Sequence, residues 1–219
     1  MTNGPTVMNL FHNLDFVFNC DYEFTDRYNG EEDFFSGKGK ALSELFWDTN
    51  FIQDVRGFEL KENKKRGAGG KMIMLEIANN LLSAHISQFP VGTYKKTHRH
   101  GPGAHVIILK GEGFSLMWPE DREIQRYDWS EGSLLVPPER WFHQHFNTGA
   151  EPARYLALKP FSSRKFPGLK KQFGTSESVK VGGDQIEYED EDPRIRKMFE
   201  GELARRGVRS GMDEVLKEI

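Results

Sequence analysis

Six of the seven histidines in this 219-residue chain fall between residues 85 and 145, so the chemistry is sought there first. Three of them, His98, His100 and His105, sit in the nine-residue stretch THRHGPGAH, and His143 and His145 follow as a pair. In a β-strand, side chains at i and i+2 leave the same face about 6–7 Å apart. Each such pair presents two imidazoles side by side, and pairs on separate strands can converge on one divalent ion at about 2.0–2.2 Å. A lone histidine reads more naturally as a surface or hydrogen-bonded core residue. Two pairs plus His105 read as a metal site. Cys20 is the only cysteine, which rules out an internal disulfide and any thiolate cluster, so ligands to a metal must be nitrogen and oxygen.

The elements that would position these side chains are strands. From residue 71 to about 158, short strand-like runs follow one another: KMIMLEI, LLSAHISQF, TYKKTHRH, AHVIILK, GFSLMWP, EIQRYDW, GSLLVPP, WFHQHFN and ARYLALK. Gly, Pro and Asn separate them, with Asn79-Asn80 expected as a turn, and no helix-length pattern interrupts them. That texture predicts an all-β sandwich or barrel rather than a parallel α/β sheet. Residues 1–70 form an N-terminal arm, in which Leu42, Leu45 and Phe46 have the spacing of a short helix. The arm closes on KENKKRGAGG, read as an exposed loop without an ordered phosphate-binding pattern. Residues 161–219 read as a polar linker and a C-terminal helix. Asp192 is its cap, Pro193 its first residue and Gly207 its stop, with Ile195, Met198, Phe199 and Leu203 on one stripe.

Composition narrows the classes of function. A net charge of −3 argues against a general nucleic-acid or membrane surface, and no apolar run approaches the ~18–20 residues of a membrane span. The N-terminus lacks a basic start followed by an apolar stretch, so no secretory signal is read, and with one cysteine a cytoplasmic location is expected. The apolar stripes of the two arms need a partner surface, from which a homo-oligomer is expected.

The spacing carries a family resemblance. Gly92, five residues, His98-x-His100, four residues, His105 and Gly111 form one block. Gly132, five residues, Pro138-x-Arg140, two residues, His143, three residues and Asn147 form another. This resembles the two-part signature of the cupin superfamily, over roughly residues 82–158. In that family the first part runs glycine, five residues, His-x-His, three or four residues, Glu, six residues, glycine. The second runs glycine, five residues, Pro-x-Gly, two residues, His, three residues, Asn. Three departures stand out: His105 in the acidic position, Arg140 for the inner glycine, and Gly111 one residue early. The resemblance implies a double-stranded β-helix, or jelly-roll barrel, with metal ligands at His98, His100 and His143 and with His105 in the fourth ligand position. His145 has no counterpart in the pattern and is expected either to support the ligands from behind or to face the substrate.

An all-imidazole shell cancels none of the ion's charge, so such a site favours an anionic ligand and acidifies a bound water. Imidazole suits iron, nickel, copper and zinc. Iron(II) is favoured, with nickel, zinc, copper or manganese as alternatives. Tyr94 and Lys96 share strand parity with His98 and are expected in the pocket if no bulge intervenes. Arg140 is expected to clamp a substrate carboxylate beside Trp141 and Phe142. Many cupins with shells of three or four histidines are dioxygenases, which the resemblance carries over as an implication. A dioxygenase acting on a small aromatic or keto/enol acid is therefore the leading expectation. A metal-dependent lyase, hydrolase or isomerase and a non-catalytic ligand-binding cupin are the alternatives.

Overall fold

In strand β12 (Ala153–Lys159) successive side chains are divided between two cores: Ala153, Tyr155 and Ala157 join one buried cluster, while Leu156 and Leu158 pack on another. That two-residue period recurs through the computed structural model, which describes residues 39–49, 51–77, 83–101, 103–159 and 176–217. Cys20, the Asn79-Asn80 turn and the basic stretch 161–174 lie outside the described residues.

The strands are β1 (Lys40–Ala41), β2 (Phe46–Thr49), β3 (Lys61–Glu62), β4 (Lys71–Ile77), β5 (Ser83–Phe89), β6 (Thr97–His98), β7 (His105–Lys110), β8 (Gly113–Trp118), β9 (Gln125–Trp129), β10 (Leu134–Leu135), β11 (Phe142–Asn147), β12 and β13 (Gln185–Ile186). One sheet has the order β1-β2-β4-β5-β12-β7-β10, with β3 also on β4, and the other β13-β6-β11-β8-β9. The pairings within the barrel are antiparallel. Two facing antiparallel sheets with strands exchanged in this order are the expected cupin-type jelly roll.

Three buried clusters result. Phe89, Val106, Ile108, Trp129, Ala153 and Tyr155 fill the barrel between the sheets. Ile73, Leu75, Ala84 and Ile86 on the outer face of the large sheet are covered by Trp47, Ile52, Val55 and Phe58 from the N-terminal arm. The helix expected at Leu42–Phe46 is absent. Residues 46–49 instead form β2, parallel to β4 from Phe46↔Met74 to Thr49↔Ile77, because sheet pairing and burial of Trp47 outweigh a weak local helical spacing.

The third cluster joins the C-terminal helix α1 (Pro193–Arg206) to the outer face of the small sheet. Asp192 accepts a hydrogen bond from the Arg194 amide, Pro193 is the first residue, and Gly207 ends the helix at φ 68°. Ile195, Phe199 and Leu203 are buried against Tyr94, Phe114, Leu116 and Phe146, while Met198 stays exposed. The stripe is therefore occupied by the chain's own barrel, with the short helix α2 (Met212–Lys217) alongside.

Helix α1 also carries a buried ion cluster. Burial alone raises the Glu202 carboxyl, but hydrogen bonds from Arg206, Arg205 and Arg126 outweigh it and bring its pKa down to about 2. A depressed carboxylate stabilises the fold above its unfolded pKa, and that contribution is lost as pH falls from about 4.5 towards 2. Glu202→Gln is expected to cost on the order of 2 kcal/mol at pH 7 and to flatten the loss of melting temperature between pH 5 and pH 3. Thermal melts of both proteins across that range check it.

Candidate metal centre

The centre is assembled where β6 meets β11. His98 and His143 are direct cross-strand partners, and their ring centroids lie 4.1 Å apart. His100, just past the end of β6, lies 5.3 Å from His98 and 4.9 Å from His143. One ring nitrogen of each lies within 4.8 Å of the other two. Bonds of about 2.1 Å to one ion require nitrogens about 3–4 Å apart, so small ring rotations suffice and the three residues fit a divalent metal. Nδ1 of His143 lies 3.0 Å from the Trp141 carbonyl. A proton on Nδ1 donated to that carbonyl fixes the tautomer and leaves Nε2 for the metal.

Burial is the main cause that holds His98 and His143 well below the ordinary histidine pKa; Arg66 adds to it at His98, and His100 at His143. Both are neutral at pH 7, the form that ligates.

His105 is not part of this group. It lies exposed at the start of β7, opposite Leu158, because Val106 and Ile108 take the inward positions of that strand. Ala104 is buried in the barrel core instead. With three residues after His100, the acidic position of the family pattern falls on Ala104, and six more residues reach Gly111. The apparent early glycine disappears. Gly111 is needed there: its φ is 87°, and a Cβ would come within 2.9 Å of the Ala153 Cα.

Arg140 does clamp a carboxylate, but that of Asp184. Its Nη1 and Nη2 donate to Asp184 at 3.0 and 2.9 Å, and Arg99 Nε adds a third bond at 3.0 Å. The backbone reason for glycine at this place in the family is visible: Arg140 has φ 62°, and its amide donates to the His100 carbonyl. A side chain there costs about 1–2 kcal/mol of left-handed strain, which the two-pronged ion pair offsets. Arg140→Gly should be near neutral for stability, whereas Arg140→Ala should lose about 1–2 kcal/mol, keeping the strain without the pair. Urea denaturation midpoints distinguish the two.

Tyr94 and Lys96 do not face the interior. Tyr94 stacks on Phe146, meets Phe199 edge-on and donates to Glu191 at 2.8 Å. Lys96 pairs with Glu187. A bulge is the cause. Lys95 bonds the His145 carbonyl and His98 pairs with His143, so two residues stand between them on one strand where Gln144 stands alone on the other. The interior position falls to Lys95, whose Nζ donates to Ser87 Oγ and, at 3.3 Å, to Tyr155 Oη.

His145 is buried one step below His143, at 5.9 Å between ring centroids. Its Nδ1 lies 2.7 Å from Ser115 Oγ, which accepts the Trp129 indole N–H at 3.0 Å. Burial, with Lys95 and Arg66 nearby, lowers its pKa to about 3. Arg66 is the largest surprise, since it comes from the loop read as exposed. Its guanidinium sits against His98 Nδ1 and donates to Gln185 at 2.7 Å and to the Lys96 carbonyl at 3.3 Å. Burial lowers it to about 10, and burial with Arg66 nearby lowers Lys159 to about 8.

The sheet order, the paired motif and the three gathered histidines match what the resemblance to the cupin superfamily implies, a jelly-roll barrel with a cluster of histidines able to hold a metal. No family model matches it. A glucose-6-phosphate isomerase of Thermococcus gammatolerans is 30% identical over 104 residues, 46% of this chain and 54% of that one. A second, of Thermococcus onnurineus, is 27% identical over 100 residues, 44% of this chain and 53% of that one. The chain thus spans about half the length of the curated relatives it matches. Among solved structures, a Bacillus subtilis oxalate decarboxylase variant overlaps 46% of this chain and 28% of its own, at 16% identity and TM-score 0.41. The Lactobacillus farciminis oxalate decarboxylase formate complex overlaps 48% and 31%, at 17% identity and TM-score 0.41.

Proposed function

We propose that the chain is a metal-dependent enzyme acting on a small anionic substrate, with dioxygenase chemistry on an aromatic or keto/enol acid as the leading reading. The observation that carries it is the charge of the site. His98, His100 and His143 are brought together with Ala104 in the acidic position, so the ligand set leaves the ion's two positive charges uncancelled. Arg66, Lys95 and Lys159, all with pKa values lowered by burial, add to the same field. An anion entering the barrel meets attraction from every one of these groups.

When bound at these histidines, a divalent ion supplies Lewis acidity and, as the favoured iron(II), redox chemistry towards oxygen. The protein's own part is orientation and exclusion of water. His143 is fixed by the Trp141 carbonyl, Arg66 lies against His98, and His145 is held by Ser115. Nickel, zinc and copper also suit an imidazole set, and manganese, which prefers oxygen donors, is the further alternative.

A second reading, a non-oxidative isomerase acting on a sugar phosphate, is favoured by the matched glucose-6-phosphate isomerases. Oxygen-electrode screening of iron-loaded protein against aromatic and keto acids tests the first reading, and anaerobic interconversion of hexose phosphates tests the second. Substrate-dependent oxygen uptake supports the dioxygenase. Turnover without oxygen replaces it with the isomerase, and protein with no affinity for any divalent ion leaves a ligand-binding cupin. A homo-oligomer remains part of the proposal, to be read from light scattering.

A further inference from the structure

We infer that Lys95, with Tyr155 and Ser87, forms a second anion-binding site beneath the histidines, so that the substrate carries two anionic groups, one at the metal and a carboxylate or phosphate at Lys95. The inference rests on the reading of a metal-bound anionic substrate, and it names what the far end of that substrate must be.

The bulge before β6 is the first observation. An unbroken strand would put Lys96 in line with His98; the extra residue turns Lys95 inward instead, where it is 5% exposed. Placing an ammonium group in a barrel core is costly unless a charge or several hydrogen bonds compensate. The second observation is the nature of its partners. Nζ reaches across the barrel to Ser87 on β5 and to Tyr155 on β12, and sits over the Tyr155 ring at 5.1 Å and the Phe89 ring at 5.5 Å. Two hydroxyls and two ring faces are neutral, and no carboxylate among the described residues pairs with Lys95.

A third observation lies beside them. His85 Nδ1 is buried without a hydrogen-bond partner among the described residues, and its ring lies 5.7 Å from that of Tyr155. His145 borders the same space, 5.4 Å from Tyr155. A buried ammonium group without an anion and a buried imidazole nitrogen without a hydrogen bond among the described residues, both beside the Tyr155 ring, are complementary to one oxyanion: Lys95 and Tyr155 donate, and His85 can donate when Nδ1 carries its proton. Burial lowers the Lys95 pKa, while Lys95 and Ser87 lower that of Tyr155 against its burial. An arriving anion would restore full charge to the lysine.

His145 stands between the two sites, 5.9 Å from His143 and 5.4 Å from Tyr155 between ring centroids, so an anion at Lys95 would lie one ring beyond the metal ligands, as the second group of a two-headed substrate would.

The test uses inorganic phosphate as probe on metal-free full-length protein, by calorimetry, in wild type and three variants. Wild type should bind phosphate; Lys95→Met should bind about thirtyfold more weakly or not at all; Tyr155→Phe should fall between them; and His143→Ala, which lacks only the metal site, should match wild type. Lys95→Met replaces a buried charge by an apolar group and should fold with an unchanged or higher melting temperature. Should it fail to fold, Tyr155→Phe and Ser87→Ala decide the matter. Wild type that ignores phosphate, or variants of Lys95 and Tyr155 that bind it undiminished, overturns the proposal. Wild-type protein that binds phosphate but takes up no divalent ion overturns the metal reading alone.

Discussion

His143→Ala is expected to leave a folded chain that no longer retains a divalent ion, with metal content falling from about one per chain to near zero after dialysis. The ring is buried on the central strand of the small sheet, beside His98 and His100, and its Nδ1 is occupied by the Trp141 carbonyl. Loss of a group that merely orients a ligand commonly costs 10–100-fold in affinity, so loss of a direct ligand should exceed about 100-fold. His105→Ala is the contrasting arm. Because His105 is exposed on β7 while Ala104 is buried, that substitution should leave metal content unchanged. Elemental analysis of the two purified variants checks both expectations in one experiment.

Phe199→Ala should be the most damaging change outside the centre. The ring is fully buried, 4.9 Å from Tyr94 and 5.7 Å from Phe146, and joins helix α1 to the back of the strand that carries His143 and His145 on its other face. Removing a buried phenyl group costs about 3–5 kcal/mol, from lost burial and the cavity left behind. For a domain of this size that corresponds to a fall in melting temperature of about 10 °C. Differential scanning calorimetry measures it. A fall of only one or two degrees would mean that α1 contributes little to the barrel.

Much of the fold and of the site is legible in the sequence. The alternation in WFHQHFN puts His143 and His145 on one face and Phe142, Gln144 and Phe146 on the other, and β11 follows it residue for residue. Asp192, Pro193 and Gly207 mark helix ends by local chemistry alone, and the helix begins and stops there. What could not be read depends on long-range geometry. Leu42 to Phe46 carry a helical spacing, yet β4 offers Phe46 and Trp47 a sheet partner thirty residues away in sequence, roughly, and pairing wins. Lys95 and Lys96 are chemically identical, and only a bulge decides which one enters the barrel. His105 and Ala104 illustrate the same limit: a motif that tolerates three or four residues leaves one register open, and the hydrophobic demand of Val106 and Ile108 closes it. Arg66, in a basic, glycine-rich loop, carried no local signal of burial at all.

X-ray absorption at the edge of the bound metal tests the central claim most directly. The expected spectrum shows three imidazoles at about 2.1 Å, with the remaining positions filled by light oxygen donors. It should stay unchanged in His105→Ala and lose one imidazole in any residual ion of His143→Ala. A spectrum with fewer than three imidazoles in the native protein, or one that loses an imidazole with His105, would contradict the account.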